Sequence, residues 1–241
     1  MCVIYLAFDQ HPEHPLIVLA NRDEYFNRPS QSAAYWDDLP YIYGGRDLVG
    51  GGTWLGVTKS GRFAAVTNYR DPSAAIGSRS RGGLVADFLK SEFSAKHYLE
   101  QVKIASNEYS GFNLLAGEIS RDRREIFYFS NRGPDVQKLS PGIYGLSNHL
   151  LDTPWPKVAK GKAQFTNLLS SSKLPLEGFF EILSDESRAA DKDLPSTGLP
   201  YEAEKAISAV FIKTPGYGTR CSTVLTFDNN FDWNFEERVF V

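Results

Sequence analysis

The chain has 241 residues, 42% hydrophobic and 13% aromatic, enough to bury one large core and in the range of a single β-rich domain over 1–241. Its 26 Lys and Arg nearly balance 29 Asp and Glu, for a net charge of -3, with no long run of like charge, which argues against a nucleic-acid partner. No apolar stretch approaches the roughly 20 residues of a membrane helix and no basic segment precedes the first apolar run, so a cytoplasmic protein without a membrane span is expected, with Cys2 and Cys221 as free thiols.

In chain order, strands are expected at CVIYLAF (2–8) and PLIVLA (15–20), joined by the DQHPEHP turn, then at TWLGVT (53–58) and RFAAVTNY (62–69). Helical periodicity follows in SRGGLVADFLKSEF (80–93) and runs on to AKHYLEQVKIASNEY (95–109). GFNLLAGEI (111–119), REIFYFS (124–130) and GIYGLSN (142–148) are strands. WPKVAKGKAQFTNLLSS (155–171) and LPLEGFFEILSDE (174–186) are helices, separated by the SSKLP turn. The polar stretch DESRAADKDLPSTGLP (185–200) reads as a mobile loop before a last helix at YEAEKAISAVF (201–211) and strands at STVLTF (222–227) and WNFEERVFV (233–241). Several strands are apolar at every position, so both their faces are covered. Two packed antiparallel sheets with helices outside them follow, an α/β/β/α four-layer sandwich of the α+β class.

Chemistry concentrates at the N-terminus. If residues 2–9 and 15–22 form a hairpin, Cys2 lies opposite the NRDE segment, Asn21 to Glu24. Once Met1 is removed, the α-amine of Cys2, with an ordinary pKa of about 7.7 to 8.0, is available as a general base beside its own thiol. Arg22 would favour the thiolate and Asp23 would hold the amine. Adjacent strand residues point to opposite faces, so Arg22 and Asp23 face Cys2 together only if the strand ends or bulges there. The same alternation puts Arg220 and Ser222 on one face and Cys221, read as structural, on the other. The plainer reading makes Cys2 a small buried hydrophobe and NRDE a polar turn.

Asn68 and Asn148 each end an apolar strand, where an amide donates to an oxyanion or simply terminates the strand. The glycines of GGTWLGV either approach a ligand or make a turn. His11, His14, His97 and His149 are scattered, HPEH is broken by its prolines, and no metal site or cofactor is expected.

MC at the start, ANRDEYFNRP, GGTWLGV, VTNYR, SRGGLV, GFNLL, YGLSN, LDTPWPKV and GTRCSTVL together resemble the transport-and-Golgi-organisation-2 (NRDE) family over the whole chain. The resemblance implies the fold of N-terminal-nucleophile hydrolases, whose cysteine members act on conjugated bile acids and penicillin V. By motif position it carries catalytic roles to Cys2, Arg22, Asp23, Asn68, Asn148 and Arg220. Arg22 and Asp23 are closer together than the corresponding pair in those enzymes, and Cys221 stands where the family usually has Ser. The implied function is a cysteine amidohydrolase cleaving a non-peptide C–N bond of a small amphipathic molecule, with Cys2 on the floor of a pocket between the sheets. The alternative is a non-catalytic carrier or chaperone for a hydrophobic ligand, lipid or haem, on the same fold.

Overall fold

A hairpin at the N-terminus sets the centre of the first sheet. β1 (Cys2–Phe8) and β2 (Leu16–Tyr25) pair antiparallel at the centre of a six-stranded sheet, in register from Cys2 opposite Arg22 to Phe8 opposite Leu16. The structure is a computed structural model and describes residues 2–74, 76–171 and 174–241; Met1, and with it the question of its removal, lies outside them, as do residues 172 and 173 of the SSKLP turn. β2 does not stop after PLIVLA but carries the whole NRDE segment as strand, because β12 (Tyr217–Phe227) pairs with it as far as Tyr25.

The remaining strands are β3 (Ser30–Trp36), β4 (Leu39–Asp47), β5 (Leu55–Thr58), β6 (Arg62–Asn68), β7 (Phe112–Ile119), β8 (Arg124–Ser130), β9 (Gln137–Lys138), β10 (Gly142–Leu146), β11 (Lys213–Thr214) and β13 (Trp233–Val239). One sheet runs β10-β1-β2-β12-β11, with β13 also on β12; the other runs β3-β4-β5-β6-β7-β8-β9. β3 and β4 were not expected from the sequence: β3 is largely solvent-exposed and lacks the apolar run that marks a strand.

The helices are α1 (Arg81–Lys90), α2 (Ala95–Ile104), α3 (Pro156–Leu169), α4 (Leu176–Leu183) and α5 (Tyr201–Ala206). The first two do not run together: Ser91 leaves the helix, and Ser94 restarts it by accepting the His97 N–H. α5 is shorter than its apolar pattern, since the backbone beyond it is claimed elsewhere, with the Phe211 N–H donating to the Asp185 carbonyl. The 185–200 segment, expected to be mobile, is tied down: Glu204 accepts from the Thr197 N–H, Lys205 pairs with Asp191, and the Ala189 N–H reaches Ser208 Oγ at 2.9 Å.

Strand alternation sorts the apolar residues into three layers. Ile4, Leu6, Leu16 and Val18 meet Leu55, Phe63, Ala65 and Leu115 between the sheets. Val3, Tyr5, Ile17 and Leu19 pack outward on Phe165, Phe179 and Leu183 of α3 and α4. Ala64, Val66 and Leu114 pack outward on Leu84, Phe88 and Leu99 of α1 and α2. This is the four-layer α/β/β/α sandwich, and each fully buried Leu or Phe in it contributes about 1.5–3 kcal/mol.

Candidate functional site

The apolar series on the inner face of β2 is Leu16, Val18, Ala20, and the next member is Arg22. A guanidinium therefore enters the space between the sheets, where only 5% of the residue is exposed. Its charge is met from the opposite sheet. Nη2 lies 3.3 Å from Asp47 Oδ2, Nη1 is 3.5 Å from Ser30 Oγ, and the guanidinium carbon stands 4.2 Å from the ring centroid of Trp54. Cys2 is the cross-strand partner of Arg22, so both point to this inner face. They border a cavity of about 410 Å³, together with Asp23, Glu24, Asn68 and Arg81.

The cavity is rich in charge. Arg28 clamps Asp47 with Nε at 2.7 Å and Nη2 at 3.0 Å, and Arg79 pairs with Glu108 at 3.3 Å on the rim. Arg81, the first residue of α1, makes no ion pair among the described residues and donates to the Gly111 carbonyl at 3.2 Å. Burial draws its pKa down, while Cys2 and Glu24 pull it up. Arg81 was overlooked at the sequence level, since SRGGLV served only as a family mark. Its place on the cavity depends on a backbone approach: a Cβ at Gly52 would stand 2.2 Å from the backbone of Gly82, so only glycine lets the turn after β4 meet the start of α1.

Asp23 obeys strand alternation and takes the other face of β2. Its Oδ1 accepts from Thr219 Oγ1 at 2.7 Å, and its carbonyl accepts from the Tyr217 hydroxyl at 3.3 Å. Burial raises the Asp23 pKa, against the pull of Lys157 and the Thr219 hydrogen bond. Lys157, also missed at the sequence level, is buried at the start of α3, donates to the Ile207 carbonyl at 3.2 Å, and is brought down by burial to about 8. Nothing in LDTPWPKV marks it, because the Ile207 carbonyl it meets and the Asp23 charge it feels are both distant in sequence. Asn21 is structural glue, its Nδ2 donating to the carbonyls of Leu183 at 2.8 Å and Val210 at 3.0 Å.

Burial pushes the Cys2 thiol up, and the Asp23 charge adds to that; the N-terminal positive charge, the Asp23 N–H and the Arg22 charge, which favours the thiolate as expected, pull it down without reversing the sign. Cys2 is half-buried, and at neutral pH it is a thiol that needs a base rather than a standing thiolate.

Asn68 reaches the cavity, whereas Asn148 and Arg220 do not border it. Asn148 is buried behind Asn68, with its Nδ2 donating to the Asn68 carbonyl at 3.1 Å. Arg220 spends its guanidinium on carbonyls of Tyr25, Arg28 and Val241. The expected shared face of Arg220 and Ser222 is also absent, because the register of β12 against β2 shifts between Thr219 and Cys221. Arg220 and Cys221 instead share a smaller cavity with Arg22, while Ser222 donates to Asn21 Oδ1 at 2.6 Å on the outer face. Cys221 is buried, its thiol pushed up by burial. His149 is engaged with Thr153 at 2.8 Å, packs near Tyr69 and Trp155, and does not border the Cys2 cavity. No cluster of three or more metal-ligating side chains occurs among the described residues, and no helix among them is long and apolar enough to cross a membrane.

A half-buried thiol, a buried carboxylate, fixed cations and a strand-end amide border one cavity. Residues 1–241 match the family described as Transport and Golgi organisation 2. The chain is 37% identical to the human Transport and Golgi organization protein 2 homolog over 99% of this chain and 92% of that protein. It is 31% identical to the Drosophila melanogaster Transport and Golgi organization protein 2, over 98% of this chain and 91% of that one. Among solved structures it is similar to a Caenorhabditis elegans N-acylethanolamine-hydrolyzing acid amidase ortholog, with a TM-score of 0.52 at 13% identity, covering 93% of this chain and 92% of that chain. That likeness is one of fold.

Proposed function

This chain belongs to the Transport and Golgi organisation 2 family, and on that premise we propose that it is a cysteine N-terminal-nucleophile amidohydrolase cleaving a non-peptide C–N bond of a small amphipathic molecule. The observation that carries the reading is the pairing of Cys2 with Arg22 on one wall of a charged cavity, with Asp23 next in the same strand.

In the form with Cys2 at the N-terminus, its α-amine takes the thiol proton as sulfur attacks the amide carbonyl carbon. Asp23 orients that amine, Arg22 stabilises negative charge on sulfur, and Asn68 donates to the carbonyl oxygen. When the C–N bond breaks, the α-amine returns its proton to the leaving nitrogen. Water then cleaves the thioester, regenerating the thiol. Asn148 and Arg220 serve as positioning residues, the first through Asn68 and the second by tying the ends of β2 and β13. The raised thiol supports the need for this base.

The test is a panel of acyl amides, N-acylethanolamines among them, offered to protein lacking Met1, with intact mass read for a thioester on Cys2. Turnover by the Met1-free form, none by Cys2→Ala and none by the form retaining Met1 is the expected result. A Met1-free protein that neither turns over an amide nor acquires an acyl group would overturn the reading; bound lipid or haem in its native mass spectrum would then favour a carrier.

A further inference from the structure

A second cavity, of about 470 Å³, lies on the outer face of the six-stranded sheet, where Phe26, Phe180, Phe211, Ile212 and Phe240 wall it. That volume falls within the range of small-molecule sites, roughly 300–1,000 Å³. Two of its rim carboxylates are already matched, Glu186 with Lys213 and Glu177 with Arg238, and Arg238 also stands 3.8 Å from the Phe180 ring centroid. The carboxylates of Glu181 and Glu186 are on solvent-exposed residues. At the floor, the hydroxyls of Thr219 and Ser222 donate inward to Asp23 and Asn21, leaving neither proton for a ligand. An uncharged, apolar molecule is what these walls and this floor accept.

The floor leads to the thiol. The Ile212 N–H donates to Thr219 Oγ1 at 2.9 Å, and Thr219 Oγ1 donates to Asp23 Oδ1 at 2.7 Å. The N–H of Asp23 faces Cys2. A molecule pressing on Ile212 is two hydrogen bonds from Asp23. We propose that this cavity is a second ligand site for an uncharged apolar small molecule, and that its occupancy changes the reactivity of Cys2 through Ile212, Thr219 and Asp23. Binding here does not depend on Cys2 being catalytic, and thiol alkylation reads the coupling without a substrate.

The experiment titrates the full chain with 1-N-phenylnaphthylamine, an uncharged fluorophore, and then measures alkylation of Cys2 by iodoacetamide, followed on the N-terminal peptide by mass. Ser184→Trp, at an exposed position beside the mouth, should abolish saturable binding without disturbing the fold, as circular dichroism would verify. Phe240→Glu, at a position 47% exposed, should weaken binding about tenfold or more by placing a charge in the apolar wall. Saturating probe should change the Cys2 alkylation rate about fivefold or more in the wild type, and not in Ser184→Trp. No saturable binding, or binding unaltered by both substitutions, overturns the site. Binding with an unchanged Cys2 rate overturns the coupling. Protection of Cys2 that persists in both variants would mean that the probe occupies the Cys2 cavity instead, and would overturn the proposal as well.

Discussion

The guanidinium of Arg22 stands 4.2 Å from the centre of the Trp54 ring, and this contact joins β2 of one sheet to the segment entering β5 of the other. A flat cation on a flat ring spans the place where the apolar inner row of β2 ends. Lysine supplies the charge but not the plane. Arg22→Lys is therefore expected to destabilise the fold by about 1–2 kcal/mol, in urea denaturation, despite keeping the charge. Trp54→Leu should cost a similar amount, and the double variant less than the sum, which a double-mutant cycle measures.

Cys2 should alkylate late on a pH axis. Because burial raises its pKa, the reactive thiolate appears only as pH climbs past the ordinary thiol value of about 8.5. A rate profile with iodoacetamide on Met1-retaining protein should have its midpoint above that value. Asp23→Asn removes a charge that opposes the thiolate and should move the midpoint down; Arg22→Gln removes one that favours it and should move the midpoint up. A midpoint well below 8.5 in the unsubstituted protein would contradict the burial argument.

Asn21 is 1% exposed and serves two carbonyls and one hydroxyl, so its role is in folding rather than chemistry. Asn21→Ala leaves those groups buried without partners and should cost about 2–4 kcal/mol in chemical denaturation. Any activity lost should fall in proportion to the folded fraction, a pattern that Cys2→Ala would not show.

Arg70 and Glu204 form a buried pair at 2.6 Å, with the Arg70 guanidinium also 4.7 Å from the Trp155 ring centroid. Removing one partner strands the other. Glu204→Gln should destabilise by about 3–5 kcal/mol and raise proteolytic cutting within 185–200, since Glu204 also holds Thr197.

The sequence made the sandwich legible because strands such as CVIYLAF and GFNLLAGEI are apolar on both faces, a pattern that helix-covered sheets impose and β1 and β7 obey. β3 escaped notice because an edge strand facing water resembles a loop in composition, and β4 because Pro40, Gly44 and Gly45 break up its apolar residues. At the candidate site, Cys2, Arg22 and Asp23 were legible because a short hairpin brings the start of β1 opposite the end of β2, and Asn68 because it ends an apolar strand, though that strand belongs to the other sheet. Arg81 and Lys157 were not, since each arrives from a helix on a different layer and its position depends on tertiary packing. Arg220 was misread for a physical reason: alternation fails at an irregularity, and nothing in GTRCST announces one.

That irregularity makes β12 a strand of two parities. Odd-numbered Thr219 and even-numbered Ser222 both point outward, while Arg220 and Cys221 share the inward side. Inner and outer labels thus trade places once along the strand, and the count of residues, not their chemistry, performs the exchange. Deleting Arg220 would remove the extra residue and leave Thr219 opposite Asp23 and Cys221 opposite Arg22, so the bulge would flatten with its pairing kept, and what is lost is the guanidinium that ties the carbonyls of Tyr25, Arg28 and Val241. Deleting any residue of 221–227 would instead turn part of the strand inside out, because each of them is paired in strict alternation with β2.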